Sequence, residues 1–352
     1  MTLRRPVALL AAGVLTLAAC TAETSTPSLA GESQAPASSA PSVEPSEEPA
    51  KSGSARLGSG GDVSMAQLPT LIAIERLNAM GYEIEWVEFE APDNELAALA
   101  QGDLQMSAAG AAQQLSAIDA GLDTTFFLTR YLNEFTFVAA NEIAACEDLD
   151  GQPVALHSRT GTSGTLTQLW VQENCPGTEP EYVIVEGSEN QLIALLQGQV
   201  VAASIDMQNT LQLLNEAPDD FGILASHTED LPVLGGVYSA NAEWMAENET
   251  LILDFIQVHL DVWEEINDDP DVLLAKAQEE LTEVDADLLP LLVERYLEFG
   301  IFPADGGITV EQVDLSMQVF GGAREGGWST IAGYDDVADR SYLDSVLAER
   351  GG

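Results

Sequence analysis

The stretch Ser158-Arg159-Thr160-Gly161-Thr162-Ser163-Gly164-Thr165 sets hydroxyls, glycines and a guanidinium between a short apolar run and a helical pattern. Its backbone N–H groups would open a helix, where the dipole favours an anionic or electron-rich group. An ordinary N-capping loop has the same make-up. It is not a Walker loop, since no Gly-Lys-Ser/Thr ends it. Asp206-Met207-Gln208 ends another short apolar run. Asp206 there could accept from an amine or a ring N–H, or simply cap a helix. Ser64 and Gln67 precede the first helical pattern and could face a ligand or form a capping box. Ser107, Ala108 and Gly110 are small enough for a ligand, or a packed helix, to approach the backbone. Tyr131 and Asn133 could stack on a ligand and hydrogen-bond it. Arg159 could pair with an anion or with one of many surface acids.

These residues suggest binding rather than turnover. Gly161-Thr162-Ser163-Gly164-Thr165 lacks the final Gly of a nucleophile elbow. The three His are scattered, and neither Cys-x-x-Cys nor His-Glu-x-x-His occurs, so no metal site and no cofactor are expected. No EF-hand loop is present.

The charge balance excludes other classes. Over 352 residues there are 58 Asp+Glu against 12 Lys+Arg, a formal net charge of -46. No basic face is available to neutralise phosphates, so nucleic acid is excluded as a partner. An anionic membrane surface would repel the chain, so any attachment must be covalent or hydrophobic. The excess reads as a solvated surface suited to a saline setting.

Arg4 and Arg5 precede an apolar run from Val7 to Ala19, too short to span a bilayer. This is the pattern of a secretory signal, residues 1–20. It ends in Leu17-Ala18-Ala19-Cys20, which resembles the bacterial lipobox. The resemblance implies lipidation at Cys20 and anchoring on the outer face of the cytoplasmic membrane. Residues 21–56, rich in Ser, Pro, Ala and Glu, read as a disordered tether. Cys146 and Cys175 remain. In an oxidising compartment they are expected to pair, two buried thiols being the alternative.

The elements that must position the polar stretches follow from periodicity. Helices are expected at 71–80, 93–101, 111–120, 163–173 and 188–197, and strands at 83–89, 104–109, 124–128, 154–157, 182–185 and 200–205. The segment Asn94-Glu-Leu-Ala-Ala-Leu-Ala-Gln-Gly102 recurs as Asn190-Gln-Leu-Ile-Ala-Leu-Leu-Gln-Gly198, with six of nine positions identical. Each copy reads as a helix stopped by Gly and followed by a strand. Alternating strands and helices imply parallel sheets with right-handed crossovers. Two α/β lobes are expected, 57–140 with 238–352, and 141–237, with further helices toward the C-terminus.

Those motifs carry a resemblance over about residues 57–350. Ala98-Leu99-Ala100-Gln101-Gly102-Asp103-Leu104 and Ala194-Leu195-Leu196-Gln197-Gly198 are similar to the helix-strand step of ABC-importer solute-binding lipoproteins of the nitrate/sulfonate/taurine group. That group also holds binders of a thiamine-pyrimidine precursor. Ala108–Ala111, Ala120-Gly121-Leu122-Asp123 and Asp148–Ala155 follow in the group's order, and residues 308–320 and 334–343 fit its end. The Asp usual after the step is here Gln105 and Val201. The resemblance implies a two-lobed type II periplasmic-binding-protein fold, each lobe a mainly parallel sheet flanked by helices. It further implies a monomer with a small-molecule ligand and an ABC permease as partner, while Asp206 and the scarcity of Lys and Arg near the cleft favour a small polar organic compound with nitrogen or sulfur over inorganic nitrate. Closure would hinge near 138–144 and 233–241, where Gly235-Gly236 could absorb the backbone change. One related branch is enzymatic and uses a Lys-bound pyridoxal phosphate with a Cys-rich iron motif. This chain has only Lys51 and Lys276 and no Cys cluster, so no enzyme is expected. A structural or adhesive surface lipoprotein is the remaining alternative.

Overall fold

Apolar alternation builds two five-stranded sheets. The computed structural model describes residues 51–351 apart from Asp62, Ala91 and Glu325, and only the backbone of Pro92, Glu229 and Asp230. The expected signal 1–20, its Cys20 and tether residues 21–50 lie outside the described residues.

The chain runs β1 (Ser54–Gly60), α1 (Leu68–Ala79), β2 (Glu83–Phe89), α2 (Pro92–Gln101), β3 (Met106–Ser107), α3 (Ala111–Asp119) and β4 (Thr125–Leu132). It continues through β5 (Thr136–Ala140), β6 (Pro153–Leu156), α4 (Thr162–Asn174), β7 (Glu181–Ile184), α5 (Ser188–Leu196), β8 (Ala202–Ile205), α6 (Met207–Glu216), β9 (Phe221–Ser226) and α7 (His227–Asp230). β10 (Leu234–Ala240) leads into α8 (Ala242–Glu247), α9 (Glu249–Asp268), α10 (Pro270–Glu280), α11 (Leu289–Glu298), α12 (Val310–Gly322) and α13 (Ser341–Arg350).

The strand orders are β2-β1-β3-β10-β4 and β7-β6-β8-β5-β9. In each sheet the first three strands are parallel, and the fourth is antiparallel to both its neighbours. Each lobe therefore holds a mixed sheet that is parallel but for one strand. The reversed strand is the one placed next to a crossing between lobes: β5 just after the chain enters the second sheet, β10 just after it returns.

Two boundaries differ from the sequence expectation. Residues 51–56 are not tether: Lys51 pairs with Asp254 at 2.8 Å, and Ala55 and Leu57 are buried as β1 joins β2 and β3. The lobes exchange at 133–135 and 231–233, not at 140/141 and 237/238, because β5 pairs in the second sheet and β10 in the first. The hinge expectation at 138–144 and 233–241 moves accordingly. Gly235 and Gly236 are buried strand residues. A Cβ on either would lie 2.4–2.6 Å from the Tyr131 ring, so they provide close approach rather than a flexible turn.

The second sheet is covered on both faces, and its alternation sorts the residues. Val138, Ala155 and Ala203 enter one core; Phe137, Ala139, Val154 and Ala202 enter the other. The first sheet shares a single core with the C-terminal helices. There α9 buries Ile252, Phe255, Ile256, His259, Trp263 and Ile266, a helical stripe against α1, α10 and α13. The repeated helices α2 and α5 are followed by Gly102 and Gly198 at φ +78° and +64°, left-handed stops that favour glycine. Cys146 and Cys175, with Cα atoms 5.3 Å apart, form a disulfide that ties the turn before β6 to the end of α4.

Candidate functional site

Ligands of parallel α/β sheets bind beyond the carboxyl ends of strands, where helix N-termini converge. Both sheets here direct such ends at one cleft of about 400 Å³. A wider trough of about 900 Å³ runs along the starting residues of β1 and β2 beside Trp244. It takes no residue from the second lobe and no strand's carboxyl end, so the cleft is the better candidate.

From the first lobe, Ser64 and Gln67 form a closed unit. The Ser64 N–H and hydroxyl both donate to Gln67 Oε1, at 3.0 and 2.6 Å. Next to them, the backbone N–H of Met65 donates to Gln208 Oε1 of α6 at 3.3 Å, a hydrogen bond across the lobes. Gly110 caps α3 and leaves room for Gln113, whose side chain also lies against Gly161 of the second lobe. At the end of β4, Arg130 is 4% exposed. Its guanidinium carbon lies 4.7 Å from the Tyr131 ring centroid, and Nη1 donates to Ser59 Oγ at 3.3 Å.

The crossing between lobes supplies Glu134 and Phe135. Glu134 is 3% exposed and accepts a hydrogen bond from the Tyr296 hydroxyl. Burial pushes its carboxyl well above the ordinary range, the charge of Asp206 adds to the rise, and Arg130 opposes it. Asp206 caps α6, accepting from Asn209 N at 2.8 Å and from Asn209 Nδ2 at 3.0 Å. Burial raises its pKa against those hydrogen bonds.

From the second lobe, Ser158, Thr160, Thr162 and Ser163 line the cleft at the start of α4. The loop is held by Ser158 Oγ, which accepts from Gly161 N at 2.8 Å. Gly164 lets it close: a Cβ there would stand 1.9 Å from the Ser158 carbonyl oxygen. His157 Nδ1 accepts from Gly187 N at 2.9 Å, and burial lowers its pKa, so the ring is neutral at neutral pH.

Of the residues singled out from sequence, the cleft brings together Ser64, Gln67, Gly110, Tyr131, Thr160, Thr162, Ser163, Asp206 and Gln208. Six others lie outside its lining. Ser107 is buried and donates to Glu95 Oε1 at 2.5 Å, and Ala108 N donates to the same oxygen, so both serve the packing of α2 on β3. Asn133 Nδ2 donates to the His227 and Leu231 carbonyls at 2.8 and 3.1 Å, pinning the two lobe crossings together. Arg159 is exposed, and Gly164 and Thr165 face inward within α4.

The sequence reading missed Glu90, Asp93, Gln113, Glu134, His157, Glu186, Ser188 and Asn209, and placed Arg130 near the cleft without assigning it to the lining. A signal existed. The β2–α2 and β7–α5 loops follow strand carboxyl ends just as the chosen loops do. Arg130 and Glu134 are charges inside an otherwise apolar stretch.

Four buried polar atoms on lining residues have no hydrogen-bond partner among the described residues: Gln113 Oε1, Arg130 Nε, Thr162 Oγ1 and Asn209 Oδ1. They come from both lobes. Buried polar groups are nearly always paired, so such a set is a place for a ligand's own polar groups.

A family profile described as NMT1/THI5 like matches residues 77–272. No curated protein matches the chain significantly. Among solved structures, the ligand-binding component of an ABC-type import system from Staphylococcus aureus is 12% identical, over 83% of this chain and 98% of its own, with a TM-score of 0.69. The periplasmic nitrate-binding protein NrtA from Synechocystis PCC 6803 is 11% identical, over 84% and 88%, at 0.67. The alkanesulfonate-binding protein SsuA from Xanthomonas axonopodis pv. citri, bound to MOPS, is 18% identical, over 84% and 100%, at 0.60. These likenesses fix the fold as that of periplasmic binding proteins.

Proposed function

The chain belongs to the NMT1/THI5-like family, and from that premise we propose that it is the extracytoplasmic solute-binding component of an ABC importer. It captures a small polar organic compound containing nitrogen or sulfur and hands it to a permease. Cys20 anchors it by lipid to the outer face of the cytoplasmic membrane.

The unpartnered buried atoms converging on one cleft from both lobes carry this reading. A solute bridging Arg130 and Gln113 on one side and Thr162 and Asn209 on the other gains its full set of contacts only when the lobes are together. Binding therefore shifts the population toward the closed state, which a permease can recognise. The two crossings at 133–135 and 231–233, tied by Asn133, are the segments about which the lobes turn. A surface lipoprotein without a ligand would have no need for unpaired groups facing a shared cleft. An enzyme with a Lys-bound cofactor is disfavoured too. Lys51 is engaged by Asp254, Lys276 by Glu75 and Glu280, and neither lines the cleft.

The test is thermal unfolding of the protein against compounds of different charge at fixed salt. A ligand at about 100 times its Kd stabilises by roughly 2.7 kcal/mol, which raises Tm by about 4 °C for a protein of this size. Loss of that shift in Thr162→Val would place the ligand in the cleft. A shift unchanged by the substitution would move the site elsewhere.

A further inference from the structure

We infer that the cleft selects a solute carrying a protonated nitrogen, held between Glu134 and Asp206, with a second, electron-rich end facing Arg130. The inference rests on the solute-binding reading and adds the ligand's charge to it.

The lining is strongly one-signed. Glu90, Asp93, Glu186 and Glu189 are exposed at the rim, and Glu134 and Asp206 lie deeper. Against these six carboxyl groups stands, among the described residues of the lining, one guanidinium, Arg130. A rim of one sign focuses the field into a cleft, drawing in cations and repelling anions. The one cation is itself shared: Arg130 already offsets the charges of Glu134 and, beneath the cleft, of Glu95. A nitrate or sulfonate would have Arg130 as its sole counter-charge and would meet Glu134 and Asp206 beside it.

The interior groups point the same way. Glu134 and Asp206 line the same cleft, the charge of Asp206 disfavours ionisation of Glu134, and among the described residues neither is in an ion pair. Two like charges in a low-dielectric site are costly until a cation enters between them. The unpartnered atoms complete the pattern. Asn209 Oδ1, beside Asp206, and Gln113 Oε1 are acceptors, which an ammonium or amidinium N–H would satisfy. Arg130 Nε is a donor, which calls for an acceptor on the same solute. A bare metal ion fits less well. Among the described residues no group of three or more Asp, Glu, His or Cys side chains is placed to hold one.

The experiment is calorimetric titration of the full-length protein with agmatine and putrescine as cations, lysine and 4-aminobutyrate as zwitterions, uracil as a neutral, and ethanesulfonate and nitrate as anions. The same titrations follow with Glu134→Gln and Asp206→Asn. Asn keeps the helix cap at position 206 and Gln keeps an acceptor for Tyr296, so both variants should fold, which circular dichroism and the ligand-free Tm check. Saturable binding confined to cationic or zwitterionic probes, weakened tenfold or more by each substitution, is the expected result. Binding only of ethanesulfonate, nitrate or uracil would overturn the charge assignment and leave the solute-binding reading standing. So would cation binding that neither substitution weakens. Silence from every probe would count against both.

Discussion

Glu134 is a buried carboxyl group in the cleft lining, tethered to Tyr296 and faced by Arg130 and Asp206. Its raised pKa has a definite sign in stability. The native state keeps a proton at pH values where the unfolded chain has lost it. Stability therefore falls as pH rises from the ordinary Glu value through the raised one, and the cost is constant above that. Glu134→Gln removes this slope, so urea unfolding between pH 5 and 8 should show the variant gaining on the wild type as pH rises. His227 carries the opposite sign. It is fully buried at the return crossing, stacked on Phe137 with its Nε2 3.1 Å from Ser204 Oγ, and burial lowers its pKa to about 4. Below pH 6.5 the unfolded chain takes up a proton that the native ring refuses, so stability is lost as pH falls from 6.5 to 4. The loss is on the order of 3 kcal/mol at most. In His227→Gln that loss should disappear from the difference in urea midpoints. At this scale the sequence displayed the right residue types but not their partners. Tyr131 and Asn133 are two residues apart, yet one lines the cleft and the other holds two carbonyls. Tyr131 is paired within β4, whereas Asn133 lies past the end of that strand, in the crossing.

Elements bounded by clear periodicity or a stop residue were readable from the chain alone. The strand at 83–89 stands where alternation placed it, and the helix after Asn190 stops at Gly198. β5, β9 and β10 were not identified. Their residues are apolar on both faces, and the sheet such a strand joins is decided by distant partners rather than local propensity. The α4 entry is the element on which the cleft most depends. Gly164→Ala would drive a methyl group into the Ser158 carbonyl. It should cost about 1–3 kcal/mol in urea unfolding and weaken ligand binding as the loop shifts. The disulfide closes a loop with a sequence separation of 29 residues. Chain entropy assigns about 3–4 kcal/mol to such a loop, so the reduced protein should unfold at a correspondingly lower urea concentration. No change on reduction would show that the unfolded state is already confined there.

At the scale of the whole molecule, the two sheets repeat one strand pattern and meet across an acid-lined cleft, and the charge of the chain opposes attraction to an anionic membrane surface. Cys20→Ser should abolish incorporation of labelled fatty acid and release the protein from the membrane fraction; retention there would point to another anchor. The central claim is that the cleft takes a solute. It is tested most directly by calorimetric titration of the wild type beside Thr160→Trp, which fills the cleft from an exposed loop position and leaves both cores untouched. The account predicts saturable one-to-one binding of at least one charged nitrogen compound by the wild type and its loss in the variant. Binding that survives the filled cleft, or a wild type that binds none of the compounds, would contradict it.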